Sequence, residues 1–133
     1  DHMKEGFENA KNKTLDYINK HIKAADEINK PLVLEEFGFP RDDHSFDIHG
    51  TTDLRNRYYD AVFQLWQNNK DRKGSFAGSS FWAFGGSSRS VPGQIHFKMG
   101  DDYMGDPPME EQGLNAVFDS DNSTWEVIRK YSK

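Results

Sequence analysis

Lys30-Pro31-Leu32-Val33-Leu34-Glu35-Glu36-Phe37-Gly38 carries a short continuous apolar run that ends abruptly in two acids. Pro31 stops any helix running into it, since it lacks the backbone N–H and clashes with the preceding turn. An apolar run of this length is the kind that buried strands use in parallel sheets. Acids at the C-terminal end of such a strand sit where α/β folds build active sites, because the loops after those ends form the ligand crevice. Glu36 and Glu35 are therefore candidate site residues. Alternation along the strand predicts that their side chains point to opposite sides, so the adjacent pair cannot itself be a catalytic pair. The competing reading of spacing alone is a solvated strand end.

On the N-terminal side, Phe7, Ala10, Ile18, Ile22, Ala25 and Ile28 recur mostly at three- and four-residue steps, predicting an amphipathic helix from Lys4 to Lys30. On the C-terminal side, Phe37 to Gly50 reads as a polar loop with Gly38, Pro40 and Asp42-Asp43. A second helical pattern starts near Thr51, with Leu54, Tyr58, Ala61, Val62, Leu65 and Trp66 on one face, and fades in Asn68-Asn69-Lys70-Asp71. Phe76 to Phe84 reads as a strand whose Gly78-Ser79-Ser80 centre suggests close approach of another group. Gly85 to Gly113 is a long loop without periodicity, of a length that is usually functional or disordered, with enough aromatics and Met to be partly packed. Ser123 is a plausible N-cap for a terminal helix carrying Trp125, Ile128 and Tyr131. Strands alternating with helices predict parallel pairing through crossovers. Two parallel strands are not a stable sheet, so further strands come from another chain or segment, or from Gly113 to Asp119.

The chain has 133 residues, enough for one core but short of the roughly 250 of a complete α/β barrel. Its 17 Lys and Arg against 22 Asp and Glu give a charge of -5, which supplies no electrostatic reason for a nucleic-acid partner. A neutral or polar ligand fits better. Aromatics form 14% of the residues, and their flat faces serve either a core or the C–H faces of sugar rings. No cysteine is present, which excludes disulfides and thiolate sites. No stretch approaches the roughly 20 apolar residues of a membrane span, and no signal-peptide pattern is visible.

Three stretches in order carry a family resemblance. Lys30 to Gly38 resembles the seventh barrel strand of glycoside hydrolase family 5, where a Glu followed by an aromatic residue and Gly is the nucleophile; Glu36 holds that place. Ser80-Phe81-Trp82-Ala83-Phe84-Gly85-Gly86 resembles the eighth strand, whose Trp floors the sugar subsite at the cleavage point; Trp82 matches it. Gly100-Asp101-Asp102-Tyr103-Met104-Gly105-Asp106-Pro107-Pro108 and Glu111 to Asp119 resemble the β-mannanase branch rather than the cellulase branch.

The resemblance implies an α/β fold that is the C-terminal portion of a (β/α)8 TIM barrel, about the last two βα units plus the preceding helix. Residues 1–133 would form one partial catalytic barrel domain. It implies an endo-β-1,4-mannanase that hydrolyses mannan with retention, with Glu36 as nucleophile, Trp82 as substrate-binding residue and no cofactor. A retaining glycosidase needs a second carboxyl about 5 Å from the first. In the family that acid/base Glu, with an Arg, a His and a Tyr, comes from earlier strands absent from this sequence, so the chain alone is expected to be inactive. Family resemblance implies an extracellular or periplasmic setting. The alternatives are a cellulase or β-glucanase of the same family, and a non-catalytic fragment that binds carbohydrate or self-associates. Exposed strand edges favour self-association or a complementary barrel fragment.

Other signals carry less. His44, His49 and His96 lack metal-site spacing. Asp119-Ser120-Asp121-Asn122-Ser123 begins like a calcium loop, but Thr124 stands where Gly is required. Arg89, Asp101 and Asp106 could line distant sugar subsites, though surface charge is the simpler reading. Trp66 and Trp125, on helical faces, read as core, and Glu35 as a salt-bridge or hydrogen-bond partner behind the site.

Overall fold

The computed structural model describes residues 2–132, with side chains from residue 6 onward. In chain order the elements are α1 (His2–Glu27), β1 (Leu32–Phe37), a 3-10 turn (Asp42–His44), α2 (Asp53–Asp71), β2 (Phe76–Phe81), β3 (Phe84–Gly86), β4 (Val117–Phe118) and α3 (Asn122–Tyr131). β1 pairs with β2 in parallel, and β3 with β4 in parallel. The α2 crossover makes β1-α2-β2 a parallel unit of the expected type. β4 lies in the Gly113 to Asp119 stretch, one of the two sources considered for further strands, but it pairs with β3 and does not extend the β1–β2 sheet.

α1 stops earlier than Pro31 requires. Asn29 is left-handed (φ 52°), and its N–H donates to Asp26 O while that of Lys30 donates to Ala25 O at 3.0 Å. This pair of bonds is a Schellman ending, in which Asn tolerates the left-handed position. The buried stripe is consequently Phe7, Ile18, Ile22 and Ala25, with Ala10 and Ile28 left exposed.

α2 is rotated relative to the predicted face. Its buried residues are Arg55, Tyr58, Tyr59, Val62, Phe63 and Asn69, while Leu54, Ala61, Leu65 and Trp66 flank them half-buried. The rotation follows from what the helix must cover. Phe37 of β1 meets Tyr59 and Phe63 in edge-to-face pairs, ring centroids 5.0 and 5.4 Å apart, an arrangement that aromatic quadrupoles favour. Phe7, Ile18, Ile22, Phe76, Val117 and Tyr131 complete this core.

The N-terminus of α2 is capped from outside the helix. The Asp42 carboxylate accepts from Thr51 Oγ1 at 2.6 Å and from the N–H groups of Asp53 and Leu54 at 2.9 and 3.0 Å. Burial pushes the Asp42 carboxyl up, but those hydrogen bonds, with Arg55 nearby, hold it net below its ordinary 3.8. A folded-state depression stabilises fully above the unfolded value and is lost as pH falls through the folded one. Asp42→Ala is therefore expected to cost about 1 kcal/mol at pH 7, as cap removals do, with the difference from wild type narrowing below pH 3.8. Thermal unfolding at pH 7 and in acid checks this; a pH-independent difference would contradict it.

β2 ends at Phe81 instead of reaching Phe84 because the chain changes partners there. Trp82 N–H donates to Phe37 O at 2.7 Å, toward β1, whereas Ala83 N–H donates to Asn115 O and Ala83 O accepts from Val117 N–H at 2.8 Å, toward β4. A Cβ placed on Gly78 would meet nothing within 4 Å among the described residues.

α3 also begins differently from expectation. Asp121, not Ser123, precedes its first turn, and Ser123 Oγ instead joins Thr52 Oγ1 (3.0 Å) and Asn56 Nδ2 (2.9 Å). The Asp121 carboxylate accepts from Arg41 Nη2 at 2.6 and 2.7 Å, from Phe118 N–H at 2.8 Å and from Arg55 Nη1 at 3.4 Å. Arg55 also donates to the carbonyls of Phe39, Leu114 and Ala116. Burial, and then the neighbouring Arg41 charge, pull the Arg55 guanidinium down to about 10. One cluster thus ties the segment after β1 to the segment before β4 and to the start of α3. Trp125 and Trp66 are half-buried against the core as expected, with Trp125 Nε1 donating to Phe118 O at 2.7 Å.

Candidate active site

Glu36 stands near the C-terminal end of β1, and the register there explains its exposure. Leu34 pairs with Ser79 and Phe37 with Phe81, three steps on β1 against two on β2. β1 therefore carries one extra residue, a bulge of the kind that re-aims side chains. Leu34 and Phe37 both pack into the core between the helices, which strict alternation forbids for residues three apart. Glu35 and Glu36 fill the bulge, and both are exposed. The expectation for their side chains assumes a regular strand, and the strand is not regular at the two acids. Glu35 makes no hydrogen bond or ion pair among the described residues. Both acids border a groove of about 430 Å³ along the edge of β1, closed on its other side by Tyr17, Ile18 and His21 of α1.

Trp82 follows β2 at the same end of the sheet, since the strands are parallel. Its backbone is held against the residues after Glu36 by the bond to Phe37 O and by a close passage over Gly38. A Cβ added at Gly38 would lie 2.4 Å from Trp82 O, so only glycine fits at this point of the Glu-Phe-Gly sequence. The two sequence-predicted site residues are thereby brought to adjoining strand ends. Trp82 is half-buried and does not line the groove that Glu36 borders.

The indole of Trp82 is held by the long loop. Its Nε1–H donates to Asp106 Oδ1 at 3.1 Å, and the other carboxylate oxygen accepts from Gly113 N–H at 2.7 Å. Asp106 is only 9% exposed, which overturns the surface-charge reading of it. Burying a carboxylate is costly unless it is hydrogen-bonded, and the indole and amide donors meet that need. Arg89 is a surface charge as expected, pairing with Asp119 at 2.6 Å, and Asp101 accepts from Lys98 N–H within the loop. Met104 packs with Ala116, Phe118 and Ile48 as a second small core, so the loop is partly packed, while Phe97 stacks on the exposed Tyr103 with centroids 5.2 Å apart. Among the described residues no group of three or more acids and histidines is placed to hold a metal ion, and no helix is long and apolar enough to cross a membrane.

This arrangement has known counterparts. The family model described as GH family 5 beta-mannosidase-like matches residues 1–133. The chain belongs to that family. A solved glycoside hydrolase family 5 mannosidase from Rhizomucor miehei is 31% identical, with a TM-score of 0.82 over 95% of this chain and 31% of its own. A glutamate-to-alanine variant of a Rhizomucor miehei family 5 mannosidase, solved in complex with mannosyl-fructose, is 28% identical, with a TM-score of 0.73 over 96% of this chain and 34% of its own. A further glutamate-to-alanine variant of such a mannosidase, 28% identical, has a TM-score of 0.70 over 92% of this chain and 34% of its own. None of the curated proteins matches. This family 5 chain spans about a third of the length of the solved mannosidases it resembles. It is an α/β piece of a glycoside hydrolase fold, as the sequence resemblance implied.

Proposed function

We propose that this chain is the C-terminal part of a (β/α)8 barrel that hydrolyses β-linked mannosides with retention of configuration, Glu36 being the nucleophile and Trp82 the floor of the subsite at the cleavage point. The observation that carries the reading is the placement of Glu36 in a bulge at the C-terminal end of β1, with the Trp82 backbone bonded to the very next residue. In the first step the Glu36 carboxylate forms an ester bond to the anomeric carbon. The glycosidic C–O bond breaks, and a second carboxyl protonates the departing oxygen; water then cleaves the ester. That second carboxyl would come from an earlier barrel strand, so the 133-residue chain alone is expected to be inactive.

The substrate is an endo-cleaved β-1,4-mannan on the strength of the Gly100 to Asp119 segment. The solved structures are named only as mannosidases, which leaves an exo-acting mannosidase as the second reading. A polymeric substrate places the enzyme outside the cytoplasm. Soluble galactomannan separates the two modes: an endo-enzyme lowers viscosity steeply for few new reducing ends, while an exo-enzyme releases mannose with viscosity nearly unchanged. Activity on carboxymethylcellulose in preference to both mannan and small β-mannosides would overturn the mannoside reading.

A further inference from the structure

We infer that Asp106 is the positioning residue for Trp82: the long loop fixes the indole plane through its N–H, so that the ring meets sugar with its face and donates no hydrogen bond to it. The inference rests on the proposed role of Trp82, but its geometry stands apart from that role. Both oxygens of Asp106 are committed, one to Trp82 Nε1–H and one to Gly113 N–H. The turn that carries Asp106 is itself pinned, since Gln112 Nε2 donates to the carbonyls of Pro107 and Glu110 at 2.8 and 3.1 Å, and Gln112 N–H to Ile95 O at 2.8 Å. Gln112 is buried, 4% exposed. Beneath the turn Gly105 passes so close to Ala83, the neighbour of Trp82, that a Cβ there would sit 3.2 Å from the Ala83 methyl. The loop therefore meets the Trp82 segment at two points, the indole N–H and the Ala83 methyl.

A side chain with two rotatable bonds, half-buried at a strand end, could otherwise turn its ring edge toward the cleft. Stacking on a pyranose needs the face, and a misplacement of about 1 Å near reacting groups can cost on the order of a hundredfold in rate. A carboxylate suits the task where an amide does not. It accepts on both oxygens, whereas Asn would offer one acceptor to two donors and set its own NH2 against the other.

The test is a double-mutant cycle in the full-length protein with Asp106→Leu, Asp106→Asn and Trp82→Phe, measuring kcat and KM on a β-1,4-mannooligosaccharide below each variant's melting temperature. Trp82→Phe keeps an aromatic face but removes the donor. Asp106→Leu is expected to lower kcat/KM about tenfold, and Asp106→Asn less, when Trp82 is present. In the Trp82→Phe background either change should alter it less than about twofold, as coupled residues are non-additive. Equal losses in both backgrounds, or no loss in either, would overturn the positioning role. The indole N–H proton resonance of Trp82, assigned by its disappearance in Trp82→Phe, gives a readout independent of activity. It should move in Asp106→Leu; an unmoved resonance overturns the inference. Should Glu36→Gln leave hydrolysis intact, the assignment of Glu36 as nucleophile would fall, while the indole resonance would still decide whether Asp106 holds Trp82.

Discussion

Glu36→Gln in the full-length protein should lower kcat on galactomannan by about 10⁴-fold or more, the scale on which covalent nucleophiles act when removed singly. The substitution preserves shape and volume at a bulged, exposed strand position, and Glu36 has no hydrogen bond or ion pair to lose among the described residues. The fold should therefore be untouched, with an unchanged melting temperature. Glu35→Gln is the internal control. It neighbours Glu36 in the same bulge and is equally without partners, so a purely electrostatic role for the acid pair would make the two variants similar. A nucleophilic role makes them differ by orders of magnitude. Glu36→Ala adds a chemical signature, because it leaves room for azide to attack the anomeric carbon from the nucleophile's side, giving a glycosyl azide of inverted configuration. Comparable losses for Glu35→Gln and Glu36→Gln, with no azide product from Glu36→Ala, would remove Glu36 from the role.

Much of this was legible in the sequence, and the misreadings share a cause. The apolar run at Leu32-Val33-Leu34 and the stripe of α1 follow from patterns that solvent imposes on any chain, and the sequence marks them to within a few residues, whereas a strand between Gly113 and Asp119 is one of two alternatives there and pairs with β3 rather than extending β1 and β2. The bulge at Glu35-Glu36 is not marked, because alternation is a local rule while the extra residue is set by how β1 pairs with β2. The rotation of α2 was missed for a related reason. Its buried face includes Arg55, which a hydrophobic pattern places on the solvent side; the carbonyls of Phe39, Leu114 and Ala116 that make burial tolerable come from segments distant in sequence. Asp106 and Asp121 were read as surface charge and as part of a failed calcium loop. Each is instead a buried acceptor whose donors lie elsewhere in the chain. A charged residue between apolar neighbours, such as Arg55 between Leu54 and Tyr58, is the one sequence signal that could have pointed to these interior polar contacts.

The largest stability effect is expected at Asp121. Its side chain is 4% exposed, and those of Arg41 and Arg55 are fully buried, so one carboxylate serves two guanidinium groups in a region with little water. Removing one partner of a buried pair is worse than never having built it, since the remaining charge keeps its desolvation cost without its counter-ion; losses of about 3–5 kcal/mol are usual. Asp121→Asn leaves two such charges and should reach that range. Arg41→Met should cost far less, because Arg55 and Asp121 remain matched and because Nε and Nη1 of Arg41 have no hydrogen-bond partner among the described residues to lose. Methionine would also keep contact with the Phe118 ring, over which the Arg41 guanidinium lies at 5.2 Å. In the double variant one guanidinium rather than two lacks a carboxylate, so Arg41→Met should recover part of the loss caused by Asp121→Asn. Urea unfolding of the four proteins in full-length form measures this directly. A penalty below about 1 kcal/mol for Asp121→Asn, or an equal one for Arg41→Met, would show that the cluster is held by its carbonyl hydrogen bonds and not by charge.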